Sequence, residues 1–222
     1  MESYKHVISG GVSGITQVLV GYPFDTLKVW RQVNIKPIYK ISNLYRGIYI
    51  PLLSNGIINS CLFSINNKSN KIINNNFCSG FLSGFITSPL LNMESYQKIK
   101  YQNNVKKKIN IFNGLKIGFL RNSLFYGIYF ESYFKIKELL NNKYSEYKFT
   151  NNLISGGISG CLSWLTIYPL DTIRTRLQTN NITLKNAINQ KYLYNGLRIA
   201  MIRAFIVNSI GFYFYELTLI NF

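Results

Sequence analysis

One spacing recurs three times along this chain, and it constrains the fold more than any other feature. Gly10 and Gly14 lead to Pro23, Asp25, Lys28 and Gln32. The same register returns 146 residues later (156 − 10) as Gly156, Gly160, Pro169, Asp171, Arg174, Arg176 and Gln178. A worn copy lies between them, 70 residues after the first (80 − 10). There Gly80 and Gly84 lead to Met93, Ser95, Lys98, Lys100 and Gln102. A unit repeated in phase cannot bury its apolar face alone, so the copies must pack on one another. The spacing predicts one domain, 1–222, made of three helical hairpins at about 1–73, 74–148 and 149–222. The small residues four apart predict close helix contacts. Pro23 and Pro169 predict kinks, because proline removes a backbone donor, and Pro89 predicts a displaced kink in the middle copy.

Six stretches are long enough to cross a bilayer, which needs about 20 mostly apolar residues. They run from Tyr4 to Val33, Leu44 to Ile65, Asn76 to Lys100, Asn113 to Leu140, Thr150 to Gln178 and Asn195 to Leu219. The expected class is an all-α membrane protein with six transmembrane helices. Polar residues inside these stretches are costly in lipid unless they face a water-filled centre. Basic residues gather in the three long loops after the odd spans, among them Lys36, Lys40, Arg46, Lys106, Lys107, Lys108, Lys185 and Lys191. Six spans place both termini on the opposite side.

The chain carries 25 basic and 8 acidic residues, a net charge of +17. That balance calls for an anionic partner, but long glycine-punctuated apolar stretches argue against nucleic acid. The three cysteines, Cys61, Cys78 and Cys161, lack any metal or disulfide spacing and read as buried thiols. With His6 the lone histidine, there is little material for hydrolytic or metal chemistry. The expectation is a non-enzyme without a cofactor or metal. Met1 to Val7 does not read as a secretory signal.

These residues resemble the mitochondrial carrier family, whose signature is Pro-x-acid-x-x-base-x-base with a Gln two residues on. The third copy fits it fully, and the first departs only at Trp30. The middle copy keeps Lys98, Lys100 and Gln102. A second half-motif, aromatic-base-Gly, appears as Tyr45-Arg46-Gly47 and weakens to Phe112-Asn113-Gly114 and Tyr194-Asn195-Gly196. The resemblance covers essentially the whole chain. It implies a multi-pass, monomeric carrier of the mitochondrial inner membrane, with cardiolipin as its lipid partner, that moves a small solute by alternating access.

By analogy, each copy's acid pairs with the next copy's base to close the matrix side. Asp25 would meet Lys98, and Asp171 would meet Lys28. Arg174 would face Ser95 and lose its ionic partner. Gln32, Gln102 and Gln178 would brace the pairs. At the opposite gate, Asn66, Asn67, Asn70, Tyr133, Phe134, Lys137, Tyr215, Glu216 and Leu219 take the family's places without completing an ion pair. The substrate contact points fall seven residues after the half-motif glycines, at Ser54, Arg121 and Arg203, with Asn55 and Asn122 beside them. Two arginines without a matched acid would be expensive at that depth unless the substrate supplies the anion. Motifs around Pro23 and Pro169 resemble the carnitine, ornithine and basic-amino-acid branch, but Asn122 replaces the acid which that branch sets beside its second contact arginine. The implied cargo is a small anionic or zwitterionic metabolite, a carboxylate or an amino acid. The alternatives are a nucleotide exchanger and a non-transporting protein of the same fold.

Overall fold

The computed structural model describes residues 2–34, 36, 39–102, 114–180 and 182–221. Among these, all regular structure is helical. Six long helices of 25 to 33 residues are α1 (Glu2–Gln32), α3 (Tyr49–Ile73), α4 (Asn76–Gln102), α5 (Leu115–Lys143), α6 (Lys148–Asn180) and α8 (Leu197–Asn221). At 1.5 Å per residue they are roughly 37–50 Å long, enough for a bilayer core of about 30 Å. Two stretches, Ile41–Ile73 and Thr150–Thr179, are also apolar enough by composition to cross a membrane. Two short helices were not expected from sequence: α2 (Ile41–Leu44) and α7 (Leu184–Asn189). The lysines at 106–108 and the Phe112-Asn113 pair lie outside the described residues.

The second span starts later than expected and runs further. Gly47 sits at φ +85° and separates α2 from α3. Gly114 at +80° and Gly196 at +92° stand at the same place before α5 and α8. Side chains rarely tolerate this left-handed backbone. At Gly47 a Cβ would also lie 2.7 Å from Tyr101 Cβ. The helices α1 and α6 each clasp the loop after them: Tyr22 donates to Arg46 O at 2.8 Å and Thr26 to Leu44 O at 2.8 Å. Tyr168 donates likewise to Asn195 O at 3.2 Å, and Thr172 to Leu193 O at 2.7 Å. The proline positions that follow Tyr22 and Tyr168 lie inside continuous helices, as does Pro89.

The long helices pack in ring order, α3 on α4, α4 on α5, α5 on α6, α6 on α8 and α8 on α1. The distribution of side chains is the reverse of a water-soluble bundle. Leu53, Ile57, Phe85, Ile86, Ile202 and Phe205 face outward, while Ser79, Ser83, Ser88, Ser155, Ser159 and Ser163 are fully buried between helices. In lipid, burying apolar surface gives helices little drive to associate, so small residues and hydrogen bonds hold the contacts. Each serine of the α6 stripe donates to the carbonyl four residues back, at 2.6 to 2.7 Å, and so carries no unmet donor into the interface. The cysteines depart from expectation: Cys78 is exposed, and Cys61 and Cys161 are half-buried.

The glycine pairs are not equivalent. A Cβ on Gly84 would meet Asn122 O at 2.6 Å and Ser123 Cα at 3.0 Å. One on Gly14 or Gly160 would meet nothing within 4 Å, and one on Gly156 only Tyr129 Oη at 3.7 Å. Close packing therefore belongs to the middle pair, and the serine stripe takes that part on α6. We expect Gly84→Ala to cost about 1–3 kcal/mol of stability through overpacking. Gly160→Ala should be neutral or stabilising, since alanine is the better helix former by about 1 kcal/mol. Thermal unfolding of both variants in detergent checks this, and equal melting points would contradict it.

Candidate functional site

Two aspartates organise the centre of the ring. Asp171, one residue beyond Leu170 on α6, takes the ammonium of Lys28 on Oδ2 at 2.6 Å. Asp25 on α1 takes Lys98 of α4 on Oδ2 at the same distance. Both contacts join helices far apart in sequence, and they are the pairs that the family resemblance implies. Proline two residues before each aspartate sets the acid on the inner face of its helix. Lys28 also lies 3.9 Å from the centroid of the Trp164 ring, and a cation is attracted to that face.

The arginines overturn one expectation. Arg121 Nε stands 3.2 Å from Asp171 Oδ1, and Arg203 Nε stands 2.5 Å from Asp25 Oδ1. Both have a matched acid, on the oxygen that the lysine leaves free. Neither Nε is aligned as a hydrogen-bond donor, so the attraction is that of charge. Spacing alone does not reveal this, because the partners sit in different copies of the repeat and on different kinds of helix. Asn122 is fully buried and stands behind its arginine: it accepts from Arg121 Nη1 at 2.9 Å and donates to Ser88 Oγ at 3.4 Å. It orients Arg121 and does not face the cavity. Ser54 donates to Ile50 O at 2.9 Å and faces a lateral apolar groove between α3 and α4. Asn55 is the neighbour that reaches the cavity wall.

The three glutamines differ in what they hold. Gln32 donates to Asp171 Oδ2 at 2.9 Å, directly on the ion pair. Gln102 donates to Thr26 Oγ1 at 3.0 Å, beside the pair and not on it. Gln178 Oε1 is buried without a partner. Arg174 faces Ser95 with no acid in contact among the described residues. Its Nη2 reaches Leu91 O at 3.4 Å and its Nε has no partner, although the residue is only 3% exposed.

These groups enclose a cavity of about 300 Å³. Its wall carries the cations Lys28, Lys98, Arg121, Arg174 and Arg203 and the carboxylates Asp25, Glu94 and Asp171, a surplus of two positive charges (5 − 3). Glu94 stands one residue before Ser95, which holds the acid position of the middle copy. At the other end of the ring, Asn66, Asn67, Tyr133, Phe134 and Lys137 line a second cavity of about 440 Å³, with Lys137 5.6 Å from the Tyr133 ring centroid. Asn70 donates to Asn76 Oδ1 at 3.1 Å. The side chains of Tyr215, Glu216 and Leu219 lie outside the described residues.

Arg176 has a structural part that the motif alone did not convey. It is fully buried and donates to Gln32 O at 3.1 Å, Ala187 O at 3.3 Å, Gln190 O at 3.0 Å and Lys191 O at 3.1 Å, tying α6 and α7 to the end of α1. Trp30, at the equivalent place in the first copy, donates from Nε1 to Gln102 O at 3.3 Å. The indole keeps the N–H that the exchange of base for tryptophan would otherwise remove.

Comparison with known proteins gives a consistent result. A profile of the mitochondrial carrier protein family matches residues 145–222. A mitochondrial substrate carrier family protein, protein L of Dictyostelium discoideum, is 31% identical over 221 aligned residues, covering 80% of this chain and 76% of that protein. A mitochondrial arginine transporter of Arabidopsis thaliana is 27% identical, covering 97% of this chain and 90% of its own length. A mitochondrial basic amino acids transporter of Homo sapiens is 25% identical, covering 92% and 86%.

Removing one partner of a buried pair leaves an uncompensated charge, a loss of about 3–5 kcal/mol. Asp171→Asn strands both Lys28 and Arg121 and should fall in that range. Adding Lys28→Met removes one stranded cation and should recover part of the loss. The coupling is read from a double-mutant cycle in thermal unfolding. Simple additivity of the two changes would mean that the pair is not energetically linked.

Proposed function

Because the chain belongs to the mitochondrial carrier family, we propose that it exchanges an α-amino acid across the mitochondrial inner membrane, with basic amino acids as the first candidates. The single observation that supports this is the mixed charge of the central cavity. Five cations and three carboxylates share one wall, which suits a solute that brings both signs. A purely anionic cargo loses its main argument, since Arg121 and Arg203 already have acids. Relatives named as arginine and basic amino acids transporters point the same way.

In this reading all six long helices cross the membrane as three pseudo-symmetric hairpins, and the protein acts as a monomer with cardiolipin at its basic matrix loops. Lys28–Asp171 and Asp25–Lys98 form the matrix gate. An ion pair held in a cavity is easily reversed, because desolvation offsets much of the Coulomb attraction. Arg121 and Arg203 line the cavity and also grip the gate aspartates. Charge brought by the substrate competes for these contacts, and so occupancy weakens the gate. A ligand shifts such an equilibrium only through its differential affinity for the two states.

Reconstitution into arginine-loaded liposomes tests the reading. Labelled arginine or ornithine should enter by saturable exchange, while malate and adenine nucleotides should not. Arg203→Ala should lose uptake and also stability, because Asp25 then keeps one cation in place of two. Exchange of nucleotide or dicarboxylate in preference to amino acids would reverse the substrate assignment. Folded protein that moves nothing would favour a non-transporting role.

A further inference from the structure

Asp25 and Asp171 are each satisfied twice over, yet two charged residues of the same cavity have no ionic contact. Arg174 is almost wholly buried, bears a partnerless Nε, and sees no acid within ion-pair distance among the described residues. Glu94 lines the same wall, half-buried, with Arg174, Lys98 and Ser54 as neighbours but no salt bridge to any described cation. The two residues feel each other's charge across the cavity without touching. The gap lies where the third ion pair of the ring would stand, because Ser95 occupies the acid position and its neighbour Glu94 points from a different angle.

A buried guanidinium without a counter-ion is costly. A free carboxylate would neutralise it, and the fork of the guanidinium fits a carboxylate with two parallel hydrogen bonds. A ligand bringing a carboxylate alone would add a second negative charge near Glu94. A ligand carrying an ammonium beside its carboxylate satisfies both groups at once. We propose that the substrate itself completes the missing pair: its α-carboxylate binds Arg174 and its α-ammonium binds Glu94. This deepens the amino-acid reading above and rests on it. It assigns substrate selection to Glu94, a position outside the signature, and it takes Arg174 from gate to binding site.

Three ligands separate the two contacts: L-arginine, agmatine, which keeps the amine and lacks the carboxylate, and 5-guanidinopentanoate, which keeps the carboxylate and lacks the amine. Binding is read as the ligand concentration that gives half of the full thermal shift of the purified full chain. The wild type should bind arginine at least tenfold more tightly than either half-ligand. Glu94→Gln should weaken arginine and agmatine tenfold or more and spare 5-guanidinopentanoate. Arg174→Gln should weaken arginine and 5-guanidinopentanoate and spare agmatine. Should Arg174→Gln fail to fold, Arg174→Lys keeps the charge without the fork and should weaken the same two ligands less. The crossed pattern supports the pairing. If the Glu94 variant loses all three ligands equally, or none, the inference falls while the amino-acid reading stands. If the wild type responds to none of the three, both fall together.

Discussion

Each of two central aspartates is held by two cations from two other helices, and the rest of the structure is arranged around that fact. Asp171 on α6 reaches Lys28 on α1 and Arg121 on α5. Asp25 on α1 reaches Lys98 on α4 and Arg203 on α8. Five of the six long helices are thereby tied through two carboxylates, and only α3 is absent. A carboxylate in such a setting is expensive to strand. The aspartates therefore tie five helices to one centre.

That dependence follows from the surroundings. A bundle whose apolar residues face outward and whose serines fill the contacts has little hydrophobic drive toward its own centre. The backbone is satisfied within each helix, as lipid requires. Charge at the centre then links the helices through groups that, in the proposed reading, a charged solute can re-partner. The chain is a carrier of small metabolites at the mitochondrial inner membrane. Its central charges serve that task more directly than they serve stability.

Much of this was legible in the sequence, and the reason is periodicity. Residues that keep one register across three copies must occupy equivalent places, so the partners that the family resemblance implies for Lys28 and Lys98 could be assigned residue by residue. The helices themselves follow from length and apolar content. What spacing could not reach was any contact that crosses between the two kinds of helix. Arg121 and Arg203 were placed correctly on α5 and α8, but their grip on Asp171 and Asp25 depends on the ring's diameter, which no local pattern encodes. Asn122 and Ser54 failed for a related reason. One residue along a helix is about 100° of rotation, so Asn55 faces the cavity while Ser54 faces the groove beside it. Glu94 is one residue out of register with the acids of the other copies, about 100° around the helix, so the repeat gives it no role although it reaches the cavity wall.

The departure from threefold symmetry is the most informative part of the molecule. A perfectly repeated ring would close three equal ion pairs and present an interior with no preferred direction. A solute with a carboxylate at one point and an ammonium at another has a direction, and a symmetric ring cannot distinguish its ends. In this chain the first and third copies keep their acids and close two pairs, while the middle copy replaces its acid by Ser95 and sets Glu94 beside it. The replacement leaves Arg174 without an ion-pair partner among the described residues on one side of the cavity, and the Glu94 carboxylate without one nearby. In the proposed reading, wear in the middle copy supplies the asymmetry that recognition of an asymmetric solute needs, and the two intact pairs are left to close the gate.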